Sequence, residues 1–141
     1  MNAPIVLGYD GSSSANAALA RTIELAAALG APVVVVFGFY ISPLGGGDVH
    51  DFKQRLEEAG AHEAGRAVAD LEAAGIETSA RIVSARPADA LMDVAAEVGA
   101  ELIVVGTVGE NPISGALLGS VVLKLVQRSS IPLLVVPTKE G

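Results

Sequence analysis

Cysteine and tryptophan are absent from the 141 residues, and aromatic residues make up only 4% of them. Without cysteine there are no disulfides, no thiolate metal sites and no cysteine nucleophile. Long hydrophobic runs are missing as well. The longest, Pro32 to Phe39, is far too short to cross a bilayer, and the N-terminus has no basic segment followed by an apolar one. Clustered positive charge is the third absence. Nine Lys and Arg are scattered among sixteen Asp and Glu, for a net charge of −7, which argues against nucleic acid or an anionic membrane as partner. A cytoplasmic protein is the expectation.

What is present is aliphatic. Half the residues are hydrophobic, mostly Ala, Val and Leu, which suits a Val-rich sheet covered by Ala/Leu helices. The length predicts a single domain, residues 1–141, with one ordinary core. Periodicity alternates between strand and helix along the chain. Pro4 to Tyr9 reads as a first strand, followed by the cap-rich turn Asp10-Gly11-Ser12-Ser13-Ser14. Ala15, Ala18, Leu19, Thr22, Ile23, Ala26 and Leu29 then form one stripe of a helix that Gly30 ends. Val33 to Phe37 is an unbroken β-branched run, as a strand buried on both faces should be. Val49, Phe52, Leu56, Ala67, Val68 and Leu71 outline a long second helix closing near Gly75. Ile76 to Ser84 alternates, like a strand nearer an edge. Pro87 opens a third helix with Ala88, Leu91, Met92, Ala95 and Val98 inward, and Gly99 closes it. Leu102 to Gly106 is a fourth strand, about Ser120 to Arg128 a fourth helix, and Ile131 to Pro137 the last strand.

That alternation, with right-handed crossovers, predicts an α/β fold with a doubly wound parallel sheet. In such a sheet the ligand sits beyond the carboxyl ends of the strands where the strand order reverses. The first and fourth strands are the natural pair there, ending in Gly8-Tyr9-Asp10 and in the segment from Gly106 to Ser120. This segment is punctuated by glycine between a strand and a helix, so it aims backbone N–H groups and a helix N-terminus at one place. An anion such as phosphate suits that place. Its spacing, Gly-x2-Gly-x9-Gly-Ser, is neither a dinucleotide fingerprint nor a P-loop. Gly106 and Gly109 alone could be an ordinary turn; Gly119-Ser120 at the head of a helix adds free donors and a hydroxyl and tips the reading toward phosphate. Asp10 has a rival role, an Asx turn ahead of the serines. At the end of the first strand it also suits a carboxylate that accepts from a ribose hydroxyl or holds a phosphate-bound Mg2+ through water.

These residues resemble the universal stress protein family, and specifically its ATP-binding branch with the pattern G-x2-G-x9-G-[ST]. Gly106, Gly109, Gly119 and Ser120 fit every fixed position. The opening Ile5-Val6-Leu7-Gly8-Tyr9-Asp10-Gly11-Ser12 and the closing Ile131-Pro132-Leu133-Leu134-Val135-Val136-Pro137 are similar to the family's first and last strands. The resemblance implies a Rossmann-like five-stranded sheet of order 3-2-1-4-5 with helices on both faces. It also implies ATP in the crevice, a homodimer paired through the last strand, and slow or absent hydrolysis. Gly8, Gly38 and Phe39 would then lie by the adenine, with main-chain atoms of Gly38 and Phe39 reading its edge. Gly106, Thr107 and Gly109 would approach the ribose and phosphates, with Gly119 and Ser120 donating to phosphate oxygens.

One departure stands out. Family members often place a basic residue inside the nine-residue stretch; here residues 110–118 hold none, and Glu110 adds negative charge. The nearest base is Lys124. Losing such a contact lowers affinity on the order of ten- to a hundred-fold. His50 and His62, twelve apart on the second helix, read as surface imidazoles rather than a metal pair. Ser12, Ser13 and Ser14 have no sequence-evident base. A regulatory, stress-response ATP binder is therefore expected. The alternatives are a slow ATPase or ATP-using transferase of the same fold, which would need a base or a cationic clamp, and a dimeric scaffold that uses no nucleotide.

Overall fold

A computed structural model describes residues 2–41, 49–108 and 119–138. Its elements run β1 (Ile5–Gly8), α1 (Ser13–Leu29), β2 (Val33–Phe39), α2 (Val49–Ala73), β3 (Thr78–Ser84), α3 (Pro87–Val98), β4 (Leu102–Gly106), α4 (Ser120–Arg128) and β5 (Leu133–Val136). The strands form one sheet in the order β3-β2-β1-β4-β5. Every pairing is parallel, with Ile5 opposite both Val33 and Leu102. The expected five-stranded, doubly wound architecture is what the chain adopts.

Strand residues alternate between two cores because successive side chains point to opposite faces. Ile5, Leu7, Val33, Val35 and Val104 pack under α1 and α2 with Ala18, Ala67 and Leu71. Val6, Val34, Val36, Ile103 and Val105 pack under α3 and α4 with Leu91, Val94, Val122 and Leu125. The central strands β1 and β4 are therefore apolar on both faces, whereas edge strand β3 exposes Ser79, Ala80 and Arg81.

Local chemistry sets the helix ends. The Ser12 hydroxyl caps α1 by accepting from the Ala15 N–H at 3.1 Å, and Gly30 closes it in the left-handed region at φ 63°. Gly99 closes α3 likewise at φ 66°. β2 continues past Phe37 to Phe39, since Gly38 interrupts neither its extended backbone nor its pairing with Val83. Three apolar residues assigned inward by periodicity are exposed instead: Leu29 on the last turn of α1, and Val49 and Phe52 on the first turns of α2. The inward stripe of α2 is made of small residues, Gly60, Ala64 and Ala67, before Leu71. A Cβ on Gly60 would stand 2.5 Å from the Phe37 ring, so glycine lets this helix lie close on β2. Among the described residues, no helix is long and apolar enough to cross a membrane.

Candidate functional site

The strand order reverses between β1 and β4, which bond to each other and then lead to opposite sides of the sheet. Their carboxyl ends bring Gly8, Asp10, Gly106 and Thr107 to one edge, with Gly38 and Phe39 beside them at the end of β2. Gly119 and Ser120 begin α4 above β4. Gly109 lies outside the described residues. The topology thus gathers the remaining sequence-derived candidates along one rim.

Asp10 holds the turn after β1. Its Oδ1 accepts from the Ser12 N–H at 3.0 Å, the Asx geometry anticipated for it. Gly11 between them has φ 82°, which glycine adopts at no steric cost. Glu63, reaching over from α2, closes this turn from outside: a Cβ on Gly11 would stand 2.8 Å from the Glu63 Cδ, with a carboxylate oxygen nearer still. Arg66 holds that carboxylate at 3.3 Å. Glu63 was not among the sequence candidates, and no local pattern marks a contact across the two helices.

Gly106 has a packing role that spacing does not reveal. A Cβ there would stand 2.6 Å from the Ser14 carbonyl carbon, with the Ser14 carbonyl oxygen and Oγ closer. The first turn of α1 therefore lies directly on the end of β4. Ser14 is buried, and its Oγ accepts the Val108 N–H at 3.2 Å, which anchors the segment leaving β4. Gly8 and Gly38 serve the opposite face in the same way. A Cβ on Gly8 would meet Leu91 at 3.0 Å, and one on Gly38 would meet the Pro87 Cα at 2.9 Å. Both admit α3.

At α4, the Gly119 N–H donates to the Thr107 carbonyl at 2.7 Å. This bond joins the two ends of the glycine-rich segment and uses a donor that the family resemblance assigns to phosphate. The first bond back into the helix is from the Leu123 N–H to the Gly119 carbonyl, so the N–H groups of Ser120, Val121 and Val122 have no acceptor within α4. Gly119 offers no side-chain cap to them. An anion at this point would meet those N–H groups and the positive end of the helix dipole. Lys124 is committed elsewhere: half-buried, it bonds Asp89 on α3 at 3.2 Å. His50 and His62 are both exposed on α2.

Tyr9 follows β1 and is buried on the α1 side, where its hydroxyl donates to the Asn16 Oδ1 at 2.5 Å. Burial pushes its phenol above the ordinary value of 10.0; Arg66 opposes this, while Glu63, Asp70 and Asp10 add to it.

Comparison with known proteins gives a consistent picture. The profile of the universal stress protein family matches residues 1–137. A universal stress protein of Thermus aquaticus is 36% identical over 135 residues, covering 94% of this chain and 96% of that protein. The chain spans about half the length of the mycobacterial relatives it matches. Among solved structures, a universal stress protein in complex with cAMP is 33% identical with a TM-score of 0.72, covering 97% of this chain and 98% of that one. The universal stress protein from Archaeoglobus fulgidus in complex with dAMP is 26% identical with a TM-score of 0.70, covering 96% and 98%.

Three outcomes follow from this geometry. Gly106→Ala should destabilise the fold by about 1–3 kcal/mol in urea unfolding, because the added methyl meets backbone that cannot rotate away. Gly65→Ala, at a helical position with nothing within 4 Å, should shift stability the opposite way. An unchanged midpoint for Gly106→Ala contradicts the close contact. The Tyr9 phenol is harder to ionise folded than unfolded, so its contribution is complete below the unfolded pKa of about 10 and is lost as pH rises through the folded value. Stability should therefore fall less steeply above pH about 10 in Tyr9→Phe than in the parent, as measured by denaturant titrations at stepped alkaline pH.

Proposed function

The chain belongs to the universal stress protein family, and from that premise we propose that it is a cytoplasmic, ATP-binding regulatory protein of the stress response. It would act as one nucleotide-binding domain that takes ATP with Mg2+ at the carboxyl edge of β1 and β4. The observation that carries this reading is that the Asp10 turn follows β1 and the head of α4 is bonded to the end of β4, the two strands between which the strand order reverses. The cAMP- and dAMP-bound relatives support a nucleotide as the ligand.

In this reading the base lies at Gly8 and at the end of β2, with main-chain atoms of Gly38 and Phe39 along its edge. The ribose and phosphates run past Gly106, Thr107 and Gly109 toward α4. Ser120, through its N–H and hydroxyl, and the N–H groups of Val121 and Val122 receive phosphate oxygens. Gly119 contributes by having no side chain, its own N–H being held by Thr107. Asp10 orients a water of the Mg2+ shell or a ribose hydroxyl while retaining the Ser12 N–H. Binding is favoured over catalysis because phosphoryl transfer needs a base or a cationic clamp. Residues 110–118 contain neither Lys, Arg nor His, and Lys124 is tied to Asp89.

Calorimetry should give saturable binding of ATP with Mg2+, tighter than GTP, with little phosphate released. Gly119→Val should weaken that binding by about ten- to a hundred-fold. Its backbone, at φ −74° and ψ 163°, accepts a β-branched residue, so the melting temperature without ligand should stay near the parent's. No binding to the parent, or full affinity in the variant, contradicts the proposal.

A homodimer through β5 forms part of the same reading. The Ile103 N–H donates to the Pro132 carbonyl at 2.9 Å. By the alternation of a parallel ladder, the main-chain groups of Leu133 and Val135 therefore point away from β4, toward the open edge. On the neighbouring helix Leu123 and Val126 are exposed at 51% and 64%, an apolar surface beside that edge. A second copy related by a two-fold axis would cover both. The side chains of Leu134 and Val135 pack against opposite cores, so a lysine at either position would test folding as much as pairing. Val135→Pro removes an outward N–H and should shift sedimentation from dimer to monomer. A parent that sediments as monomer at micromolar concentration refutes the dimer.

A further inference from the structure

We infer that Arg86 and Tyr40 form the outer wall of the base-binding end of the crevice, against which the ring of a purine nucleotide stacks. The inference rests on the nucleotide reading above and adds two residues to it.

Arg86 breaks two local rules. It stands at the N-cap of α3 but makes no capping bond, and it brings a cation to the positive end of the helix dipole. Its guanidinium instead lies over the Tyr40 ring, 4.2 Å from the centroid. Tyr40 directly follows Phe39 at the end of β2, and the residue is 49% exposed. An amphipathic ring and a weakly hydrated planar cation are thus held together in solvent at the carboxyl rim.

The charge pattern sets Arg86 apart as well. Among the described residues, Arg21, Lys53, Arg55, Arg66, Arg81 and Lys124 each meet a carboxylate. Arg128 occupies the last turn of α4, where a cation is favoured by the dipole. Arg86 alone of these has an aromatic face as its partner.

Position connects the pair to the base. The residues on either side of Arg86 lie against Gly38: Pro87 Cα would be 2.9 Å and the Ala85 carbonyl oxygen 3.2 Å from a Cβ built there. A base whose edge follows the main chain of Gly38 and Phe39 therefore has Tyr40 and Arg86 as its next neighbours. Aromatic rings and guanidinium planes both stack on bases, with little regard for which base is present. The wall thus supplies affinity, while the choice of adenine over guanine is left to the β2 main chain.

Calorimetry with ATP and with GTP on the full chain tests this. Arg86→Ala and Tyr40→Ala should each weaken ATP about ten-fold and weaken GTP by the same factor. Tyr40→Phe should retain affinity, because the ring remains. Arg86→Gln, which keeps a planar group, should retain more than Arg86→Lys, which keeps only the charge. Exposed positions such as these should leave the ligand-free melting temperature unchanged. A parent that binds and alanine variants that bind equally well overturn the wall while sparing the nucleotide site. Better retention by Arg86→Lys than by Arg86→Gln assigns Arg86 to a phosphate and also overturns it. A parent that binds neither nucleotide overturns the functional reading and the wall together.

Discussion

The first turn of α1 presses on the end of β4 at Gly106, where any side chain would run into the Ser14 backbone. From that contact the rim takes its form. Ser14 reaches the Val108 N–H and directs the chain out of β4, and the Thr107 carbonyl then collects the Gly119 N–H where the chain returns. The head of α4 is thereby fixed over β4. On the other face the same economy operates at Gly8 and Gly38, where missing side chains admit Leu91 and Pro87 of α3. The crevice is bounded by helices drawn in close from both sides.

The charges follow a similar logic. The chain carries −7, yet an anionic ligand is not excluded, because repulsion between separated charges is screened beyond about 8 Å at physiological salt. What counts is which donors stand within hydrogen-bond reach. Most described cations are neutralised by neighbouring carboxylates, several of them within one helix turn. At the rim the groups that can face an anion are the main-chain N–H groups at the head of α4, while the guanidinium of Arg86 is stacked on Tyr40.

Much of this was legible in the residues. The order of strands and helices followed from hydrophobic periodicity, and the ends of α1 and α3 from the cap-rich turn Asp10 to Ser14 and from Gly30, Pro87 and Gly99, because both signals are local. The strand order itself came through resemblance. What stayed hidden was contact between distant parts. Ser14 and Val108 are 94 residues apart, and nothing in either neighbourhood announces the other. Likewise Lys124 gave no sign of Asp89, nor Gly11 of Glu63. Leu29, Val49 and Phe52 obeyed the helical period yet stand exposed, because a period names a face without saying whether the sheet extends beneath it.

The Gly106 contact separates two reasons for keeping a residue. Its hydrogen side chain is demanded by α1 before any nucleotide arrives. A descendant of this chain under no demand from any ligand would still be held to glycine here by folding alone, whereas Gly119, with an extended backbone that suits other residues, would be free to drift. A glycine that fits a ligand-binding pattern is here held in place by packing alone.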